Sequence, residues 1–334
     1  MQAKRLRLRS PATLLAAALL AGAGAWAAGA AATGGWRDVL DTPALQSPLA
    51  AQALVNGLAS QGTRTLAVGQ RGHILYSDDA GQKWKQAEVP VSSDLVAVSF
   101  PDGRNAWAVG HDGVVLQSSD AGQTWRSQYD GRQGVADGAQ NPWLDVWFRE
   151  AREGYVVGAF GQVMHTTDGG AHWTDVADQL DNPKGLHLYA VRSIGADLYI
   201  AGEQGLLLKR AAGDTRFRAI EIPYQGTLFG VAGNERTLLA YGLRGTVLRS
   251  TDGGRNWKQT PTNVPAGLTA GTFTSDGRIV LVSQAGHVLA SQDDGATFQP
   301  LQLQGALPAA AVAAPAGGTL IVGGPRGTRS LQLP

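Results

Sequence analysis

The sequence predicts an all-β chain folded as a seven-bladed β-propeller with four-stranded antiparallel blades. Three observations lead there. Glycine supplies 45 of 334 residues, nearly twice ordinary usage, while cysteine is absent. One unit recurs seven times at a spacing near 41 residues. No segment sustains helical periodicity.

The first thirty residues (1–30) read as a signal peptide. Lys4, Arg5, Arg7 and Arg9 form a basic stretch without an acid, an apolar run follows from Thr13 to Ala27, and Ala25-Trp26-Ala27 fits a cleavage site. Export with cleavage near Ala27 to Ala32 is therefore expected, to the periplasm or outside the cell. No later segment has eighteen uninterrupted apolar residues, so the mature chain is expected to be soluble and not membrane-spanning. The formal charge of +1 belongs to the leader: without its four cations, 24 basic residues face 27 acidic ones, a net −3. Nucleic acid is disfavoured as a partner on both counts. Absent cysteine excludes disulfides, thiolate metal sites and thiol catalysis.

Residues 31–334 are expected to form a single propeller domain. Its blades fall at about 54–89, 95–129, 144–177, 188–222, 228–261, 268–302 and 309–333. The anchor positions Gly69, Gly110, Gly158, Gly202, Gly242, Ser283 and Gly323 are 41, 48, 44, 40, 41 and 40 residues apart. Each unit reads as four strands. An apolar alternation (Leu95 to Phe100, or Leu144 to Phe148) leads to a second strand that ends at a G-x-x-G turn. A third strand then runs into S/T-x-D-x-G-x-x-W, and the aromatic opens a fourth. The seventh unit stops short of that aromatic. The segment 36–40, Trp36-Arg37-Asp38-Val39-Leu40, resembles the aromatic-led fourth strands and is expected to pair with the last blade and close the ring.

Five units carry the full box: Ser77/Asp79/Gly81/Trp84, Ser118/Asp120/Gly122/Trp125, Thr166/Asp168/Gly170/Trp173, Ser250/Asp252/Gly254/Trp257 and Ser291/Asp293/Gly295/Phe298. Identical turn positions on separate blades cannot converge on one substrate. Asp79, Asp120, Asp168, Asp252 and Asp293 are therefore read as structural, accepting N–H bonds from their own turns.

With these motifs the chain resembles the photosystem II stability/assembly factor-like family of Asp-box (BNR-like) propellers, of the non-photosynthetic bacterial type, over roughly residues 36–333. Sialidases and sortilin-type receptors share the box. The resemblance implies a non-catalytic, protein-binding scaffold serving assembly of a membrane or envelope complex. Its client would be a protein or peptide, such as a membrane-protein segment or an envelope complex. Members of the family grip a client with arginines on one propeller face.

The G-x-x-G turns all lie at the end of the ring opposite the boxes. Glycine meets the turn geometry, which leaves the residues between free for function. Arg71, Arg244 and Arg326 fall on blades one, five and seven, with Phe160 on blade three across the channel. Together with His111, and with Arg132 and Trp143 from the long link 129–143, they make up the expected partner site. The link 177–187 is the second long connection on that face.

The competing reading is a sialidase-like glycoside hydrolase. It needs three arginines, a tyrosine nucleophile and an aspartate acid/base, or a pair of carboxylates at a set separation. FRAIEIP (Phe217 to Pro223) lies mid-chain on a degenerate box, Asp145 is a lone acid at an inner-strand start, and Asp94 is offset by one residue. No catalytic residue is assigned. The six histidines form no spaced cluster, so no metal and no cofactor are expected.

Overall fold

A computed structural model of the chain describes residues 37–133, 141–234, 236–301 and 308–333. Seven antiparallel sheets follow one another in sequence, each meandering from an inner to an outer strand. Blade one is typical: Val55–Gln61, Arg64–Gly69, Ile74–Ser77 and Lys85–Gln86 pair in chain order. The second strands are buried throughout, as in Ala106–Gly110 and Ile279–Ser283, because each has a neighbouring blade on both faces. That explains their unbroken apolar runs. Fourth strands are two residues long in five blades and lie exposed at the rim. They are too short to offer a long unpaired edge.

The core is a series of inter-blade layers. Trp125 packs among Leu66, Val68, Leu116 and Val98 between blades one and two, and Phe298 fills the same place between blades five and six. Trp107 stacks on Phe148 at 3.6 Å between blades two and three.

The closing strand expected at 36–40 does not form. Trp36 lies outside the described residues. Val39–Asp41 is a 3-10 turn, with the Leu40 N–H donating to Asp38 Oδ1 at 2.9 Å. Asp38 acts as a cap, so the chain leaves the extended conformation where a strand was expected. Leu40 and Ala44 are buried against the layer between blades one and two. The Ser92 N–H donates to Val39 O at 2.8 Å, and the Ala44 N–H to Val89 O at 3.0 Å. Blade seven has three strands among the described residues: Ala311–Ala313, Thr319–Gly324 and Gly327–Gln332. The ring closes instead by blade-on-blade packing. Val55 and Leu58 of blade one come up against Gly323, the Ala316 N–H donates to Gly62 O at 2.8 Å, and Ser330 Oγ donates to Gly81 O at 2.9 Å.

Close packing at the turn end is absolute about side-chain size. A methyl added at Gly69 would stand 1.9 Å from the Leu54 carbonyl oxygen, and one at Gly245, where φ is +69°, would stand 1.8 Å from Val264 O. Gly213 also has positive φ (+86°) but faces open space. Gly69→Ala and Gly245→Ala should each lose about 3 kcal/mol or more in urea unfolding, because backbone must shift. Gly213→Ala should lose only about 1–2 kcal/mol, the conformational term alone.

Candidate partner-binding face

Five of the seven second-to-third connections are the same tight 3-10 turn: Gln70–Gly72, His111–Gly113, Ala159–Gly161, Glu203–Gly205 and Leu243–Gly245. The leading glycine is extended, and the closing glycine has φ between +65° and +76°. The residue before the closing glycine is left-handed as well: Arg71 (φ +55°), Asp112 (+57°), Phe160 (+56°), Gln204 (+52°) and Arg244 (+55°). The turn therefore asks for left-handed backbone at a non-glycine position as well, so its two glycines alone do not meet its geometry. A left-handed L-residue costs about 1–2 kcal/mol, and a bulky one there is an outlier.

Two of these residues are held by the next blade. Asp94, just before the inner strand of blade two, accepts the Arg71 N–H on Oδ1 at 2.7 Å. His187, at the equivalent position before blade four, accepts the Phe160 N–H on Nδ1 at 2.9 Å, which leaves the neutral ring's proton on Nε2. His187 is itself placed by its N–H, which donates to Glu203 Oε2 at 2.9 Å. Arg71, Arg244 and Arg326 are all exposed at this end, as is His111. Phe160 is 63% exposed and lies 4.7 Å, centroid to centroid, from the His187 ring.

Arg132 and Trp143 have other duties. Arg132 bonds Asp130 Oδ2 at 2.8 Å and Asp41 Oδ2 at 2.9 Å, tying the N-terminal turn to the blade two-to-three link. Trp143 is 4% exposed and donates from Nε1 to Gly113 O at 3.0 Å, so it supports the turn from beneath. The rest of that link, residues 134–140, lies outside the described residues. The 177–187 link is folded on itself: Asn182 exchanges two 3.0 Å bonds with Leu186 through its side-chain amide.

The turns ring the mouth of a central channel of about 680 Å³ lined by all seven inner strands. Six inner strands carry a β-bulge at one place, and the bulged residues Asn56, Val96, Leu144, Tyr189, Phe229 and Thr269 line the channel. Tyr189 and Phe229 meet edge to face at 5.5 Å, continuing the contact from Phe160 through His187 into the bore. Sequence reasoning missed these positions, although superposing the seven units marks the residue after each inner-strand leucine or its equivalent.

Deeper in the channel Asp145 is 3% exposed. Its Oδ2 accepts from the Val191 N–H at 2.8 Å and from the Arg192 guanidinium. Burial raises the Asp145 carboxyl's pKa and Arg192 opposes it. Tyr241, buried beside this pair, is pushed up to about 12 by desolvation. Asp145 is the only carboxylate among the described residues lining the channel.

At the far end every box closes on itself. Ser77 Oγ donates to Asp79 Oδ1 at 2.8 Å and accepts the Gly81 N–H at 2.9 Å, while the Lys83 N–H donates to Asp79 Oδ1 at 2.8 Å. The other four boxes repeat the pattern within 0.2 Å. All five carboxyls sit below the usual range. Asp252 lies at about 2 because of the Asn256 N–H and side chain, and Asp293 at about 2 because of Thr297. No group of histidine and carboxylate side chains suited to a metal gathers among the described residues.

Two stretches of the chain, residues 52–133 and 132–231, match the model of the family described as photosynthesis system II assembly factor YCF48, and together they cover more than half of the sequence. The chain belongs to that family. A comparison with curated protein sequences gives no match. Among solved structures, YCF48 bound to a D1 peptide is similar at 17% identity and a TM-score of 0.68, covering 87% of this chain and 96% of that one. YCF48 from Cyanidioschyzon merolae follows at 16% identity and 0.65, covering 85% and 96%. A streptogramin B lyase matches at 14% identity and 0.70, covering 89% and 100%. At such identities these likenesses establish a shared fold, and this fold carries binding proteins and enzymes alike.

Two outcomes follow for a YCF48-family chain built this way. A carboxyl depressed on folding contributes stability that is complete above its unfolded pKa of about 4 and is lost as pH falls through its folded value. The melting temperature should therefore drop steeply between about pH 4 and pH 2, and the advantage of wild type over Asp252→Asn should shrink across that window. Separately, Arg71→Gly, Phe160→Gly and Arg244→Gly relieve left-handed strain. Each should melt no lower than wild type and gain up to about 1 kcal/mol, a reversal of the usual cost of glycine.

Proposed function

We propose that the protein is an exported, non-catalytic scaffold that holds a segment of a client protein on its turn face during assembly of a membrane or envelope complex. Membership in the YCF48 family supports an assembly role, and the solved relative bound to a D1 peptide supports a peptide segment as the client form. The basic and apolar leader supports export.

One observation carries the reading. Arg71 and Phe160 are kept in a costly left-handed conformation, outward-facing, by Asp94 and His187 of the following blades. The turn imposes that conformation on whatever residue stands there, and glycine would take it without the steric cost, so a bulky arginine or phenylalanine at such a position is typically retained where a surface has a task. The exposed guanidiniums of Arg71, Arg244 and Arg326 suit carboxylates of a client in bidentate geometry.

The sialidase-like alternative asks for a second carboxylate beside Asp145 and a tyrosine of lowered pKa. Asp145 is committed to Arg192 and the Val191 N–H, and the Tyr241 phenol is raised. The channel thus supports binding better than hydrolysis.

Affinity capture from the native envelope, with wild type beside an Arg71→Ala/Arg244→Ala/Arg326→Ala variant, tests the proposal. The triple variant should keep its melting temperature and lose at least about tenfold in client retention. Capture of the same partners at the same yield by both proteins would sink the arginine assignment.

A further inference from the structure

Between blade four and the 177–187 link, whose Asn182 and Gly185 touch the Phe160 turn, lies a second cavity of about 240 Å³, lined by Pro183, Leu186, Leu206 and Ile220 and by the polar Asp181, Asn182 and Lys184. We propose that the client segment is anchored by one bulky apolar side chain, aliphatic or aromatic, that docks against Phe160 and fills this cavity, with acidic residues beside it in the client sequence. This deepens the reading of the turn face as the binding face and rests on it.

Phe160 is doubly uneconomical for folding. Among the described residues it is the only aromatic of the large exposed hydrophobics, and it holds φ at +56°. An exposed aromatic that is also strained is the kind of residue that anchors a partner at a protein interface. Its turn abuts the cavity wall. A methyl on Gly161 would stand 2.7 Å from Asn182 Nδ2, and one on Gly185 would stand 3.4 Å from the Phe160 carbonyl oxygen.

The cavity is preformed. The two Asn182–Leu186 bonds brace the loop, the Asp181 N–H donates to Phe217 O at 3.0 Å, and Phe217 is fully buried beneath. Leu186, Leu206 and Ile220 remain only half-buried, so the apolar wall is unfinished.

Size and charge select the occupant. A free ligand is usually enclosed by about 300–1,000 Å³, so a cavity of 240 Å³ suits a single side chain of a longer chain. Asp181 in the lining is engaged, accepting the Ala219 N–H on Oδ2 at 3.3 Å with Arg216 3.9 Å from its Oδ1, so the exposed Lys184 adds to the sign of Arg71, Arg244 and Arg326 on the turn face, which favours acidic neighbours in the client.

Fluorescein-labelled acidic decapeptides differing at one central position (Leu, Phe, Ala or Lys) test this by fluorescence polarisation. Wild type should bind the Leu and Phe peptides about tenfold or more tighter than the Ala peptide, the fold-change expected for burying one large apolar side chain. That ratio should fall below about threefold in Phe160→Gly and in Ile220→Ser. The arginine triple variant should weaken all four peptides alike and keep the ratio. Phe160→Gly removes an exposed side chain, so it decides the matter if Ile220→Ser melts early. Equal binding of the four peptides by wild type overturns the anchor proposal and leaves the arginine reading standing. A preserved ratio with unweakened binding in the triple variant does the reverse. No binding of any peptide overturns both. Concentration-dependent self-association that Phe160→Gly abolishes would make a second copy the occupant and overturn the anchor proposal.

Discussion

The structure depends on one hydrogen bond repeated around the ring. In six blades the first N–H inside the second-to-third turn donates to the carbonyl of the residue just before that blade's inner strand, at 2.9–3.3 Å: Gln70 to Leu54, His111 to Asp94, Ala159 to Pro142, Glu203 to His187, Leu243 to Thr227 and Gln284 to Gly267. Ser283 precedes the donor in the sixth, whereas in the first five a glycine does and lets the carbonyl come close. A Cβ there would lie 1.9–2.6 Å from that same carbonyl oxygen. The residue after that carbonyl pairs with the residue that leads the turn, and the one after it drops out of the ladder, which is the bulge, and sends its side chain into the channel. On its other side the closing glycine presses on the incoming link, as Gly72 does on Val91 O and Gly205 on Tyr224 O. Left-handed backbone, bulge and channel lining are thus one event seen at three places.

That grip divides the ring into two chemically different ends. At the box end each aspartate has spent its carboxylate on its own turn, as Asp79 does through the Ser77 hydroxyl two residues back and the N–H groups three and four residues on. Such a group holds its proton only in strong acid and has little left to offer a ligand. At the turn end the backbone is equally satisfied, yet the side chains are not drawn in. Exposed guanidiniums and an exposed phenyl ring stand on a frame with little freedom to collapse. Rigid loops of that kind bind without first losing entropy to order themselves.

How much of this was legible in the sequence follows from which forces are local. The box and the G-x-x-G turn are satisfied within a few residues, so their spacing alone revealed seven blades, their strand order and the structural role of Asp79, Asp120, Asp168, Asp252 and Asp293. The closing strand was misread because Asp38 competes for its own backbone and Pro43 follows. The apolar faces of Leu40 and Ala44 then find a better site between blades one and two than on blade seven. Arg132 is exposed, but its ion pair, like the burial of Trp143, does not show in the loop's own sequence. Their partners, Asp41 and the Gly113 carbonyl, are 91 and 30 residues away in sequence and invisible to pattern. The pairing of Asp94 with Arg71 and of His187 with Phe160 crosses from blade to blade, so neither capping side chain announces itself.

The relation between charge and apolar surface on the turn face sets what such a scaffold can hold. Exposed ion pairs contribute about 0–1 kcal/mol each and weaken with salt, so three arginines at the surface give long-range attraction more than durable grip. Durable grip needs area removed from water, and the turn face offers it at Phe160, from which an aromatic path through His187, Tyr189 and Phe229 descends into the bore and whose turn abuts the cavity lined by Leu186, Leu206 and Ile220. The arginines lie on blades one, five and seven, and the aromatic path runs over blades three, four and five. An extended segment crossing the mouth therefore meets cations from one side and rings from the other. On the proposed reading the two features together would select an acidic chain with an apolar foothold, which neither would select alone, on a backbone already fixed by the turn hydrogen bond.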